Sequence, residues 1–252
     1  MTQSKKALAF AKLHIKGDPV LLYNAWDAGS AKAIAAAGAK AIATSSWSVA
    51  AAQGYADGED IPLDLSLAIA ARIASSVDLP VTVDFEGGYS DNDAILSENV
   101  SRLLARGVIG INFEDRVVKG PGLYEIDRQA HRIAVIREAA EKLRVPLFIN
   151  ARTDLFLGRG GEHSTEIGPA LDRAKAYAAA GASGFFVPGL TSESLIARIA
   201  EESPLPVNVM VMDGVPTNDR LGRIGVARIS YGPIPYIETL QTLQKAATRI
   251  FS

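Results

Sequence analysis

Two carboxylates, Asp84 and Glu86, follow the apolar run Val81-Thr-Val83 and precede the glycine pair Gly87-Gly88. An acid buried alone at the end of a strand is costly, so it must be paired, hydrated or metal-bound. Two acids one residue apart leave an extended strand on the same face and can share a hydrated cation. The competing assignment is a turn with a capping acid. The pattern recurs downstream, where Val108-Ile-Gly-Ile-Asn-Phe113 runs into Glu114 and Asp115, and Val145-Pro-Leu-Phe-Ile149 runs into Asn150-Ala-Arg-Thr-Asp154. Asp84, Glu86 and Glu114 form an all-oxygen set suited to Mg²⁺, a hard ion that keeps several waters; one direct carboxylate and two water-linked ones suffice. Arg152 offers a fork of donors to a carboxylate or phosphonate, with a structural pairing to Asp154 as the alternative. Ser45, Ser46 and Trp47 end another apolar run and can turn backbone N–H groups toward the same anion, although serines there also cap helices.

These residues gain meaning from the elements that carry them. Apolar runs at 20–23, 39–43, 81–83, 108–113, 145–149, 184–187, 206–210 and 226–230 alternate with helical patterns, after a leading helix expected over 4–16. Short apolar runs between helices predict parallel strands covered on the outside. A glycine ends a helix just before a strand in Ala36-Ala-Gly-Ala39, Arg106-Gly-Val108, Ala179-Ala-Gly-Ala182 and Ile224-Gly-Val-Ala227, the mark of one repeated unit. Eight such units predict a single α/β domain over 1–252, a (β/α)8 TIM barrel. A doubly wound sheet is the alternative, but no Gly-x-Gly-x-x-Gly turn follows the first run. Barrel chemistry lies at the carboxyl ends of the strands. Those ends carry Asn24, Thr44 to Trp47, Asp84 with Glu86, Glu114 with Asp115, Asn150 with Arg152 and Asp154, Pro188, and Tyr231-Gly232.

Composition removes other chemistries. With 252 residues, 48% hydrophobic, and a formal charge of −2, the chain can bury a large core but has no basic field for nucleic acid or a membrane surface. It has no cysteine, which excludes disulfides, thiolate metal sites and cysteine nucleophiles. His14 and His131 fall on helices and His163 on the loop after the fifth run, within reach of the pocket but not at a strand end, so an imidazole metal site is disfavoured. No lysine stands at a strand's carboxyl end, and Lys40 falls on the opposite face, which argues against Schiff-base chemistry. Neither a signal peptide nor an apolar stretch of spanning length is evident, and a cytoplasmic location is expected. Metal-assisted polarisation of a small anion remains.

Read together, Asn24-Ala-Trp-Asp-Ala-Gly-Ser30, Ser45-Ser-Trp-Ser-Val49, Gly54-Tyr-Ala-Asp57, Asp84-Phe-Glu-Gly-Gly-Tyr89, Glu114-Asp115 and Ala151-Arg-Thr-Asp154 resemble the phosphoenolpyruvate mutase/isocitrate lyase superfamily across nearly the whole chain. The resemblance implies (β/α)8 barrels that form dimers or tetramers by exchanging the eighth helix, bind Mg²⁺ and a small-molecule 2-oxo acid, and pass through an enolate. By position, Asp84 matches the primary metal acid, with Glu86 and Glu114 as water-linked acids. Glu86 is one methylene longer than the more usual aspartate. Arg152 matches the arginine that binds the substrate carboxylate, Ser45, Ser46 and Trp47 the segment that holds the same group, and Asp57 an acid beside the reacting centre. The loop Arg116 to Tyr124 matches a mobile gate. It lacks the cysteine of the isocitrate and methylisocitrate lyases and the asparagine of the mutases; Lys119 is its candidate for meeting an anion. Pro188 also stands where the lyases carry a glutamate. The implied function is a Mg²⁺-dependent phosphonomutase-like enzyme, or a 2-oxo-acid lyase or decarboxylase, with a non-catalytic 2-oxo-acid-binding barrel as the alternative.

Overall fold

Short polar caps and glycine stops divide this chain into repeating units, and the computed structural model, which describes residues 1–158 and 163–251, shows how they assemble. A leading helix α1 (Gln3–Ala11) precedes β1 (Val20–Leu22), β2 (Asn24–Ala25), α2 (Ala28–Ala36), β3 (Ile42–Thr44), α3 (Ser46–Ala52), α4 (Leu63–Ser76), β4 (Val81–Asp84) and α5 (Asp93–Leu104). There follow β5 (Gly110–Glu114), α6 (Ile126–Lys142), β6 (Phe148–Arg152), α7 (Ile167–Ala179), β7 (Gly184–Phe186), α8 (Glu193–Glu202), β8 (Val207–Met210), α9 (Asn218–Arg223), β9 (Arg228–Ser230) and α10 (Ile234–Phe251). Asp27 opens α2 with a reciprocal capping box to Ser30, and the Asn92 side chain caps α5 through the amides of Ala94 and Ile95. After α2 and α7 the chain turns through Gly38 and Gly181, both at φ 97°, a conformation that would strain any residue with a Cβ. Residues 159–162, part of the loop expected over Gly158 to Thr165, lie outside the described residues.

The nine strands are all parallel and follow one sheet order, β1-β9-β8-β7-β6-β5-β4-β3-β2. Eight strands were expected; the ninth arises because the first run breaks at Tyr23. Its first half pairs with the last strand, Leu22 opposite Ser230, and its second half with the next one, Ala25 opposite Thr44. The run thus closes the barrel by changing partners midway. Asn24 bridges the break: its amide donates to Thr44 O (2.8 Å) and its Oδ1 accepts from Tyr231 N (2.9 Å). Two other boundaries differ from expectation. The leading helix ends at Ala11, and Ser46 to Ala52 form a helix of their own because the Ser45 hydroxyl accepts from the Ser48 amide.

The core lies between the strands and their covering helices, where Val100, Ile133, Ile136, Ala174, Ile196 and Ile199 are buried. The amino-terminal end of the barrel is sealed by α1. Phe10 is fully buried against Phe148, the His14 ring stacks on Phe148 at 4.0 Å, and Gln3 donates to the carbonyls of Leu104 and Val108. Burial, with Arg228 nearby, lowers the His14 pKa to about 3, so this imidazole packs as a neutral ring. The carboxyl end is left as the accessible mouth.

Helix α10 departs from the pattern. Among its described residues Pro235 alone is buried, and Leu240, Leu243, Ile250 and Phe251 are exposed. Beside β1 an apolar groove of about 690 Å³ is lined by Val20, Leu21, Tyr23, Ile34, Ala37 and Ala39. No helix among the described residues is long and apolar enough to cross a membrane.

The contribution of the Asn24 side chain to closure at Tyr23 can be tested. Asn24→Leu removes the donor to Thr44 O, while the Tyr231 amide keeps its bond to Leu22 O (3.2 Å), a loss of about 1–3 kcal/mol. Chemical denaturation is expected to show that loss. An Asn24→Leu variant as stable as the native chain would mean that the ladder closes without the carboxamide.

Candidate active site

Asp84 stands at the end of β4 with its two carboxylate oxygens in different situations. Oδ2 accepts from the Ser46 hydroxyl (2.9 Å) and the Ser46 amide (3.4 Å), whereas Oδ1 is buried and has no hydrogen-bond partner among the described residues. The aspartate also pairs across the ladder with Asn112, placing it in the barrel mouth one strand from Glu114. Burial raises its pKa; Arg152 and Ser46 act in the opposite sense.

Glu86 reaches the same place by a different route from the one its spacing suggested. The chain leaves β4 at Asp84, and Glu86 takes a left-handed conformation, φ 50°, so strand alternation does not aim its side chain. Its carboxylate instead collects the amides of Glu59 (2.6 Å) and Gly58 (3.3 Å) from the loop after α3. Burial first, and then the charges of Asp84, Asp57, Glu114 and Glu59, push its pKa well up. Glu59 had no place in the sequence reading. It is buried, its carboxylate accepts from the Tyr89 amide (2.7 Å), and burial raises its pKa. Together Glu59 and Glu86 tie the 53–60 loop to the 86–89 turn.

Glu114 and Asp115 separate as strand periodicity requires. Glu114 turns into the mouth, where Arg152 Nη1 lies 3.1 Å away, and burial raises its pKa against that guanidinium. Asp115 turns outward into a sealed socket, receiving the Asp154 amide (3.0 Å), the Tyr177 hydroxyl (2.9 Å) and Arg173 (3.2 Å). Arg152 is held flat by Asp154, Nε to Oδ1 at 2.6 Å and Nη2 to Oδ2 at 3.0 Å, and Nη1 comes within 4.0 Å of Asp84. The pairing with Asp154 therefore exists. It orients the guanidinium and leaves the Nη1 edge among the acids.

Of the other residues singled out by sequence, Ser45 caps α3, and Asp57 sits exposed at the rim, 3.5 Å from the Ser46 hydroxyl. Trp47 is turned away, 39% exposed, with its ring edge-on to Tyr236 of α10 at 6.1 Å. Lys119 lines a cavity of about 260 Å³ with Glu59, Arg116, Tyr124 and Arg132, and none of Asp84, Glu86, Glu114 and Arg152 borders it. His163 packs edge-on to Phe156. Below the acids, the lumen holds a polar layer that sequence patterning missed. The amide of Asn150 donates to Asn112 (2.9 Å) and Asn208 (3.0 Å), and Arg228 Nη2 donates to Asn112 (3.0 Å). Arg228 is fully buried, and burial lowers its pKa to about 9. An arginine inside the run Val226 to Ser230 was the available signal.

The donor set fits Mg²⁺ in one specific sense. No three His, Asp or Glu side chains among the described residues converge closely enough to ligate an ion directly. One carboxylate oxygen, Asp84 Oδ1, is buried and unpartnered among those residues, and the mutual repulsion of Glu86, Glu114 and Asp84 would be relieved by a cation there. One direct carboxylate with two water-linked ones is the arrangement a strongly hydrated ion accepts.

The family model for phosphoenolpyruvate phosphomutase matches residues 10–251. A crystal structure from Burkholderia cenocepacia J2315, provisionally assigned as a phosphonomutase, is similar with a TM-score of 0.94 and 46% identity, covering 97% of this chain and 99% of that one. An uncharacterised Mycobacterium tuberculosis (strain H37Rv) protein is 34% identical over 243 residues, 96% of this chain and 89% of its own length. A phosphonopyruvate hydrolase in complex with oxalate and Mg²⁺ shares the fold, with a TM-score of 0.86 at 21% identity over 99% of this chain and 87% of that one. The chain belongs to the phosphoenolpyruvate phosphomutase family, within the phosphoenolpyruvate mutase/isocitrate lyase superfamily.

Proposed function

We propose that this chain is a Mg²⁺-dependent enzyme acting on a small 2-oxo acid through an enolate, rearranging or breaking a P–C or C–C bond. The observation that carries this is Asp84 Oδ1, buried at the mouth with no hydrogen-bond partner among the described residues and ringed by Glu86, Glu114 and the edge of Arg152. Asp84, Glu86 and Glu114 would hold the ion, which when bound supplies positive charge beside an oxygen that becomes negative. Arg152, oriented by Asp154, binds the substrate carboxylate through its Nη1 edge. Ser46 fixes Asp84 from the side with two donors, leaving the opposite oxygen to the ion. Asp57, exposed at the rim and 3.5 Å from the Ser46 hydroxyl, would meet the departing group. Preorganised charge around the developing enolate is the main source of rate in this scheme.

Phosphonopyruvate-like substrates, processed by a mutase, are favoured by the likeness to the Burkholderia structure, and an oxaloacetate or substituted-malate lyase or decarboxylase competes. The absence of any cysteine argues against gate-cysteine proton transfer. A barrel that binds 2-oxo acids without turnover is the second reading; it is favoured by the position of Lys119, away from the acids.

The exposed face of α10 and the apolar groove beside β1 lead us to infer that a second copy of this chain supplies the cover, its α10 lying in the groove. The two surfaces belong to one chain and are both apolar and uncovered by its described residues, so a symmetric pair buries both at once.

Three outcomes are expected. Oxalate, an enolate mimic, at a hundredfold excess over its Kd with Mg²⁺ raises the melting temperature by about 5–10 °C. Either ligand alone does much less, and Asp84→Ala abolishes the effect; no stabilisation by the pair would sink the site. Solvent deuterium entering the methyl group of pyruvate then separates a catalyst from a binder. Second, pH reports the buried acids. Their raised pKa values mean that the stability Glu86 and Glu114 contribute to the metal-free protein is fully present below the ordinary carboxylate range and is lost as pH rises through the raised values. Stabilisation by Mg²⁺, which pairs the ionised forms, should therefore grow between about pH 6 and about pH 9, and a flat response would contradict it. Third, light scattering should find a dimer or larger, which Leu243→Asp shifts toward the monomer; a native monomer overturns the groove assignment.

A further inference from the structure

The 116–124 loop is a compact turn. Arg116 and Leu123 form an antiparallel bridge, the Val117 amide donates to Gly122 O (3.1 Å), and the Gly120 amide donates to Val117 O (3.0 Å). Its outgoing end is fixed where the Tyr124 amide donates to Asp115 O (2.8 Å), and Asp115 is itself sealed by Arg173 and Tyr177. The tip rests on the rest of the chain through Val118. A Cβ built on Gly87 would lie 2.8 Å from Val118 Cγ2, and one built on Gly58 would lie 3.7 Å from Val118 Cγ1. Cγ2 occupies space that a side chain at position 87 would need, and Cγ1 lies at van der Waals range of position 58, so both glycines seat the same valine.

That seat is made of the two segments that hold Glu86. Gly87 follows it directly, and Gly58 and Glu59 donate their amides to its carboxylate. Both segments are conformationally expensive. Glu59 and Glu86 have φ of 58° and 50°, and non-glycine residues stay there only where their surroundings hold them. Val118 meets both segments at once and, with Arg116 and Lys119, lines the outer cavity.

We propose that Val118 is a positioning residue: seated on Gly58 and Gly87, it clamps the 53–60 loop to the 86–89 turn and so sets the Glu86 carboxylate, coupling the state of the 116–124 loop to the acid site. The proposal deepens the reading above, because it rests on Glu86 serving a cation site. Lifting the loop frees the two strained segments; seating it restores the carboxylate to its two amides.

Trypsin reads the coupling without any ligand, because Arg116 and Lys119 are exposed within the loop. Val118→Ala should be cleaved about tenfold faster than the native chain with its melting temperature nearly unchanged, while Val118→Thr, of the same shape, stays near native. Glu86→Ala should also speed cleavage, since it releases the seat, and the double variant should be cut no faster than the faster single, the mark of one shared interaction. Native cleavage of Val118→Ala or of Glu86→Ala, or two effects that multiply in the double variant, would overturn the proposal. In the native background, Val118→Ala should also weaken Mg²⁺-dependent oxalate binding about fivefold, and unchanged binding counts against the positioning role. A native protein that fails to bind oxalate defeats the functional reading alone, because the cleavage comparisons stand without it.

Discussion

One guanidinium holds together an end of the barrel that would otherwise repel itself. Arg152 lies among Asp84, Glu114 and Asp154, and burial displaces the pKa values of Asp84 and Glu114 upward, with further pushes from neighbouring carboxylates. Carboxylates at these separations in a largely buried mouth cannot all ionise cheaply. The fold answers with fixed donors. Asp154 fixes the arginine, the Asp154 amide is fixed by Asp115, and Asp115 is fixed by Tyr177 and Arg173 on α7. The chain of contacts runs from the mouth to the outer helices. Glu86 has no ion-pair partner among the described residues and relies on two amides, so it is the acid with most to gain from a metal ion.

The lumen below has the opposite problem. Arg228 is buried with no carboxylate within ion-pair distance among the described residues, and its Nε and Nη1 have no hydrogen-bond partners there. A guanidinium in that position costs stability. Its charge acts upward on Asp84, so the acid-rich mouth and the basic floor offset each other through the asparagine layer. Sealing the floor with Phe10 and a neutral His14 keeps water from screening that field.

How much of this could be read from sequence depended on whether a residue's place follows from periodicity. The barrel, Asp84, Glu114 and Arg152 were legible because strand ends follow apolar runs, and strand ends are where parallel barrels place chemistry. Glu86 was found for an incomplete reason: the spacing assumed an extended chain, whereas a left-handed turn and a distant loop aim the carboxylate. Glu59 was invisible, since nothing local says that its loop folds back onto the 86–89 turn. The orientation of Trp47 was not legible because a helix starts at Ser46 and turns the indole toward Tyr236. The break at Tyr23 is a property of closure, which no single strand encodes.

The 116–124 loop keeps its own titratable groups away from the acid mouth. Arg116, Lys119 and Tyr124 are its titratable residues, and as seated all three line the outer cavity rather than the acid mouth. Val118, which meets the 86–89 turn, is apolar. A loop of that composition can exclude water and brace a carboxylate, but it brings no acid or base to the mouth in this position. The polar groups beside the acid mouth belong to the barrel itself, with Asp57 and the Ser46 hydroxyl on one side and Glu86 on the other. Of these, Asp57 is the exposed one, so the 53–60 loop supplies the solvent-facing edge of the mouth.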